Sequence, residues 1–154
     1  MLKGIPAVVT PDLLWALSAM GHGDVLAVVD ANYPAYALHS RVLPLAGVDI
    51  ATAVGAIGAL MPVDEAVEPA VLAMAPDGDP AADVESHATV REVLSTTEGR
   101  PVAVGAVERS DFYAAAKAAF AVVLTGETRS YACFLITKGV VVTAGSVVAA
   151  ADRG

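Results

Sequence analysis

The stretch TPDLLWALSAMGHGDVLAVVDANYPAY, Thr10 to Tyr36, decides the fold class. Thr10 carries an oxygen suited to capping a helix, Pro11 fits the first helical position, and Asp12 falls in the first turn, so a helix is expected from here. Gly21 is expected to stop it. The run VLAVV, residues 25–29, is short, unbroken and rich in β-branched side chains, which predicts a buried strand. Between helix and strand sits GHGD, with His22 held between two glycines, and Asp30 closes the strand. The following DANYPAYALHS reads as loop, because Pro34 biases its predecessor away from helix. A core has no need of these polar groups.

The same alternation continues outward. DIATAVGAIGALM, residues 49–61, predicts a helix with Ile50, Val54, Ile57 and Met61 on one face, and its many small residues let a neighbour approach closely. PAVLAMA (69–75) predicts a strand and PDGDPAAD (76–83) an exposed loop. DVESHATVREVLSTTEG (83–99) predicts an amphipathic helix, with Val84, Ala88, Val90, Val93 and Leu94 mostly on its inner side and His87 solvated. PVAVGAV (101–107) is expected as strand, SDFYAAAKAAF (110–120) as a helix capped by Ser110, AVVLTG (121–126) as strand, and ACFLITKGVVV (132–142) as one or two more. Helices alternating with short apolar strands predict an α/β fold, a single compact domain over residues 1–154 with a partly parallel sheet flanked by helices. Ligands of such sheets sit at the carboxyl ends of strands. Asp30, Arg109 and the TGE at 125–127 all border expected strands.

The chain has 154 residues, 56% of them apolar, and a mean hydropathy of +0.62. One domain of this size has too little interior for so many Val, Ala and Leu side chains. The apolar runs are too short for a membrane-spanning helix of roughly 20 residues, and MLKGIPAVVT lacks the extended apolar core of a signal peptide. Burial between identical subunits is therefore expected. A net charge of -8, with nine scattered Lys and Arg, offers no basic face for nucleic acid. A single cysteine, Cys133, excludes an internal disulfide and suits a reducing cytoplasm.

His22 is the first chemical candidate. Glycines on both sides leave its imidazole exposed on a tight turn, and neutral imidazole both takes and gives protons near neutral pH. Asp24 reads as a turn or cap residue. Asp30 ends a buried strand, where a carboxylate without a donor is costly, so a sugar hydroxyl or His22 is expected to serve it. Arg109 directly follows an expected strand, Tyr131 and Cys133 lie at the start of the last strand region, and Tyr113 lies in a helix. His39 and His87 have no companions at metal-ligand spacing, and no zinc, phosphate-loop, dinucleotide or nucleophile-elbow pattern is present, so neither metal nor cofactor is expected. A histidine, a carboxylate, an arginine and tyrosines suit proton transfer on an uncharged polyhydroxylated ligand.

MGHGD…VVDANYPA, joined with VERSDFYAAAKAAFAVVLTGETRSYACFLITKGV, resembles the ribose pyranase and fucose mutarotase family, and DANYPA with ERSDFY resembles its fucose branch. The resemblance runs from TPDLLWALSAMGHGD to KGV and leaves SVVAAADRG (146–154) outside. It implies a small α/β subunit in a ring-forming homo-oligomer, often a decamer, with the active site at a subunit boundary and no cofactor. It implies that His22 is the catalytic histidine, Asp30 its partner, Arg109 a sugar-binding residue and Tyr131 a sugar contact. Cys133 stands where the family usually has asparagine, and Asn32 where some fucose-branch members have histidine. The expected reaction is interconversion of monosaccharide anomers, with pyranose–furanose interconversion of ribose and non-catalytic sugar binding as rivals.

Overall fold

Residues 1–143 are described by the computed structural model, and the part of the C-terminal segment 146–154 singled out above lies outside them. In chain order the elements are α1 (Pro11–Ala19), β1 (Val25–Val29), α2 (Ala35–Leu38), β2 (Val42–Leu45), α3 (Ile50–Gly58), β3 (Val71–Met74), α4 (Glu85–Glu98), β4 (Val104–Val107), α5 (Arg109–Ala116), β5 (Ala121–Thr125) and β6 (Phe134–Thr137). The strands form one sheet in the order β2-β5-β1-β6-β3-β4. β2, β5 and β1 are parallel, as are β3 and β4, while β6 runs antiparallel between β1 and β3. The α/β expectation with a partly parallel sheet therefore holds.

Both faces of the sheet are covered, which is why VLAVV is apolar without alternation. Leu26 and Val28 pack with Leu13, Ile50, Val54, Ile57, Val90 and Leu94 from α1, α3 and α4. Ala27 and Val29 face the other way, against Tyr33, Phe112 and Ala116. Small residues bring α3 and α4 together: a Cβ on Gly58 would lie 2.6 Å from Thr97 Oγ1, and one on Gly55 would touch Val93.

Several local expectations are corrected. Thr10 caps α1 by accepting from Leu13 N–H at 3.2 Å, but the chain leaves the helix at Met20, which is extended, and the left-handed residue is Gly23 rather than Gly21. The segment 30–40 is not wholly loop, since Pro34 precedes the short helix α2. β2 went unread because Pro44 interrupts its pattern; it is an edge strand, where proline is tolerated. Ser110 does not cap α5. That helix begins at Arg109, with Glu108 at the cap position and no side-chain cap bond. His87 is buried, not solvated, and Ala88 is exposed.

Candidate active site

β1 carries chemically interesting residues at both ends, and five residues at about 3.3 Å each put roughly 16 Å between those ends. At its carboxyl end Asp30 is buried. Its Oδ1 accepts the Asn32 N–H at 3.0 Å and its Oδ2 accepts the Cys133 thiol at 3.3 Å. Burial, and then the Asp30 charge, push the Cys133 thiol well up, so it is a donor here and not a nucleophile.

The loop after β5 is fastened to the same end. Thr125 Oγ1 donates to the Val29 carbonyl at 2.7 Å, and Ala31 N–H donates to the Glu127 carbonyl at 2.8 Å. Buried Glu127 accepts from Arg129 through N, Nε and NH2 at 2.9 to 3.1 Å, and from Ile50 N–H at 3.3 Å. The Arg129 guanidinium holds its carboxyl down at about 2. Gly126 passes so near Gly47 that a Cβ would lie 2.6 Å from the Gly47 nitrogen. The TGE signal thus marks a loop clamp tied to the backbone on either side of Asp30.

A cavity of about 170 Å³, open on one side, is lined by Asp30, Asn32, Arg109, Tyr113, Tyr131 and Cys133, with Tyr33, Met74 and Ser130 completing it. Closed sites for drug-sized ligands occupy about 300–1,000 Å³, so this is a small, open recess. Tyr113 stacks on Tyr33 at 5.3 Å and 10°. The Tyr33 hydroxyl, bonded to His39 Nε2 at 2.8 Å, is raised to about 12, by burial and then by Tyr113. Burial also raises Tyr113. Arg109 pairs with Asp77 at 3.4 Å across half-exposed side chains, an ion pair worth little to stability. Tyr131 has φ +60°, a left-handed conformation that costs a bulky residue on the order of 1–2 kcal/mol.

At the amino end of β1 the arrangement is different. His22 is half-exposed, and its Nε2 lies 3.0 Å from Oδ1 of buried Asp64. A carboxylate only accepts, so Nε2 carries the proton and Nδ1 is left as the acceptor. Ala66 N–H, then His22, hold the Asp64 carboxyl below the ordinary carboxylate range. Asp24 accepts from Gly21 N–H at 2.7 Å and so tightens the turn. The end of β6 ties both loops down. Gly23 N–H donates to the Lys138 carbonyl and Lys138 N–H to the Asp24 carbonyl, both at 2.9 Å, while Asp64 N–H donates to the Thr137 carbonyl at 3.0 Å. Lys138 Nζ also donates to the Leu17 and Met20 carbonyls, closing α1. A Cβ on Gly139 would lie 2.8 Å from Asp64 Cα, so only glycine fits there.

Residues 3–141 match the model of the RbsD / FucU transport protein family. The chain belongs to that family. It is 41% identical over 144 residues to the L-fucose mutarotase of Actinobacillus pleuropneumoniae serotype 5b, with 91% of this chain and 97% of the relative covered. It is similar to the crystal structure of a fucose mutarotase in complex with L-fucose from Streptococcus pneumoniae, at 35% identity and a TM-score of 0.80, covering 92% of this chain and all of that one. The FucU structure from Bifidobacterium longum gives 31% identity and a TM-score of 0.85, covering 91% of this chain and all of that one.

Within this RbsD / FucU family chain, six of the residues singled out in the sequence, Asp30, Asn32, Arg109, Tyr113, Tyr131 and Cys133, meet at one cavity. His22 does not join them. The expectation that Asp30 orients His22 is corrected: inside one subunit the carboxylate partner is Asp64, and Asp30 is served by Asn32 and Cys133. Cys133 is also a better hydrogen-bond partner than its residue type suggests. Asp64, Tyr33 and His87 were missed. His87, Val90 and Leu94 recur at i, i+3 and i+7, a spacing that marks one buried face and could have found the histidine. Among the described residues no helix is long and apolar enough to cross a membrane, and no group of three or more His, Cys, Asp or Glu could hold a metal ion.

Proposed function

We propose that this protein is an isomerase, a cofactor-independent sugar mutarotase that interconverts the α and β anomers of a monosaccharide of the L-fucose type. The observation that carries the proposal is the clustering of Asp30, Asn32, Arg109, Tyr113, Tyr131 and Cys133 around one cavity. The cavity lies at the carboxyl ends of parallel strands, in a chain 41% identical to a protein named L-fucose mutarotase. Its lining offers a buried carboxylate, a guanidinium and three phenols, which suit the hydroxyls of a neutral sugar ring, and the ring faces of tyrosine suit its C–H surface.

The reaction is a proton exchange across a hemiacetal. The anomeric hydroxyl loses a proton, the ring oxygen gains one, the bond between the anomeric carbon and the ring oxygen breaks, and a carbonyl forms. Rotation about the C1–C2 bond and reclosure on the other carbonyl face give the opposite anomer with no net change in atoms. In this reading His22 is the principal acid and base, acting from Nδ1 while Asp64 holds Nε2–H. Asp30 and Tyr131 hold or relay protons at the sugar hydroxyls, and Arg109 with Asn32 fixes the ring and steadies developing negative charge.

The distance along β1 prevents His22 from reaching the Asp30 cavity of its own subunit, so a second copy supplies the imidazole and covers the open side. Apolar surface supports assembly of identical subunits. Trp15, Tyr36, Leu38, Val67 and Val140 to Val142 are all exposed, apolar surface that contact between copies would cover. The assembly in this reading is a ring, with ten copies as the expected number. The free buried thiol of Cys133 suits a reducing compartment, the cytoplasm.

Saturation-transfer or exchange NMR on the anomeric protons of L-fucose tests the proposal, with D-ribose run in parallel. Acceleration of L-fucose exchange by catalytic amounts of protein is the expected result. Saturable binding without acceleration would reduce the protein to a sugar-binding oligomer, and acceleration confined to ribose would move it to pyranose–furanose chemistry.

A further inference from the structure

Tyr131 is the only non-glycine residue with positive φ among the described residues, and it lines the candidate cavity. A bulky side chain enters the left-handed region only when its surroundings impose it. One contact stands out. His87, in the first turn of α4 and buried, has its Nε2 2.9 Å from the Tyr131 carbonyl oxygen. We propose that His87 is a positioning residue of this site: by donating from Nε2 to the Tyr131 carbonyl it holds that tyrosine in its left-handed conformation and so sets where the phenol sits in the cavity it shares with Asp30.

The donor direction is fixed by chemistry, because a carbonyl only accepts and Nε2 must then carry the hydrogen. Burial lowers the proton affinity of His87, so a neutral ring with Nε2–H meets the need. The ring is itself wedged. Phe134, the first residue of β6, meets it edge to face at 5.6 Å and 79°, and the Met74 backbone also contacts it. Met74 lines the cavity too, and its N–H donates to the Cys133 carbonyl at 3.0 Å. His87 thus joins α4, the end of β3 and the turn before β6 at one point behind the cavity wall. From Tyr131 two residues lead to Cys133, the thiol that serves Asp30. A leucine could fill the same space but would leave the Tyr131 carbonyl without this donor.

The proposal rests on the mutarotase reading for its activity test and on backbone geometry for an independent one. His87→Leu is expected to slow anomer exchange about tenfold, the scale of a misplaced active-site group. In a Tyr131→Phe background the same change should cost less than about twofold, because the hydroxyl it positions is already gone. His87→Gln keeps an N–H donor near the same place and should retain most of the wild-type rate. In the crystal structure of His87→Leu, Tyr131 should leave positive φ. Should that variant fail to fold, His87→Phe, which also lacks a donor for the Tyr131 carbonyl, gives the same readings. Equal losses in both backgrounds, an unchanged rate, or Tyr131 still at positive φ would overturn the proposal. If the wild-type protein does not accelerate exchange, the mutarotase reading fails on its own and the Tyr131 backbone angle alone decides the role of His87.

Discussion

At the carboxyl end of β1 a carboxylate is buried with donors on both oxygens and faces a recess lined by phenols and a guanidinium. At the amino end an imidazole stands half-exposed, with a carboxylate behind it. The first region can recognise a sugar but has no histidine in its lining; the second can move protons but does not contribute to that recess. Each has the chemistry the other lacks. Residues eight apart in the sequence, His22 and Asp30, are kept apart by the strand between them, and the proposed function needs a second copy to bring them together.

The largest effect should come from breaking the amino end. His22→Ala is expected to lower catalysed anomer exchange by about 10²–10⁴-fold, the usual worth of a general acid–base group. Mixing it with Asp30→Asn sharpens the comparison further. If the halves come from different copies, two inactive variants reassembled together should regain part of the lost rate, measured by the same exchange NMR. No recovery after verified subunit exchange would mean that both residues must lie on one chain.

Next comes Asp64→Asn, which keeps the size of the side chain and removes its charge. The amide oxygen still accepts from Nε2–H but no longer carries the charge that favours imidazolium, so a fall of about tenfold in exchange rate is expected, with sugar binding at the Asp30 end largely kept. Titration with L-fucose by calorimetry separates the two. A rate equal to wild type would remove Asp64 from the mechanism.

Much of the carboxyl end was legible because its residues adjoin strands. Asp30 follows VLAVV and Arg109 follows PVAVGAV, so strand recognition put both at carboxyl ends. Tyr131 and Cys133 precede FLIT and join them because β6 runs antiparallel, which the local pattern does not tell. Asp64 was hidden because it lies 42 residues from His22, in a short turn-like segment without periodicity, and its partner is chosen by where β6 ends. His87 was misread because Glu85, Arg91 and Glu92 make its helix look solvated, although its i+3 and i+7 neighbours are core residues. β2 was lost to one proline. The Asp64 contact is made by long-range pairing, which local pattern does not encode, whereas the spacing around His87 was open to a local reading.

Smaller effects bear on stability at the two ends. Gly139→Ala drives a methyl into the Asp64 backbone, and overpacking of this kind costs about 1–3 kcal/mol. Thermal denaturation should show a lower Tm, with the His22 end disturbed and the cavity end less so. Glu127→Gln loosens the loop clamp at the other end, by about 1.5–3 kcal/mol at pH 7 on the scale of charged hydrogen bonds. The native Glu127 carboxyl titrates at about 2, below its ordinary 4.5. Its stabilisation is therefore complete above the ordinary value and is lost as pH falls toward 2. The Tm difference between wild type and Glu127→Gln should be full above pH 4.5 and shrink toward pH 2. A difference that does not vary with pH would show that the charge of Glu127 is irrelevant to the clamp.

The antiparallel strand β6 begins one residue after the thiol that serves Asp30 and stops two residues before the glycine packed on Asp64. Phe134 and Ile136 face one core, Cys133 and Leu135 the other. It therefore works as a gauge block between the two chemistries. Sliding it by a single position would exchange these sets between faces, turning the sulfur away from its carboxylate and bringing a side chain where none fits. Insertions or deletions between Cys133 and Gly139 should accordingly be tolerated far less than changes of equal size in the 76–83 loop.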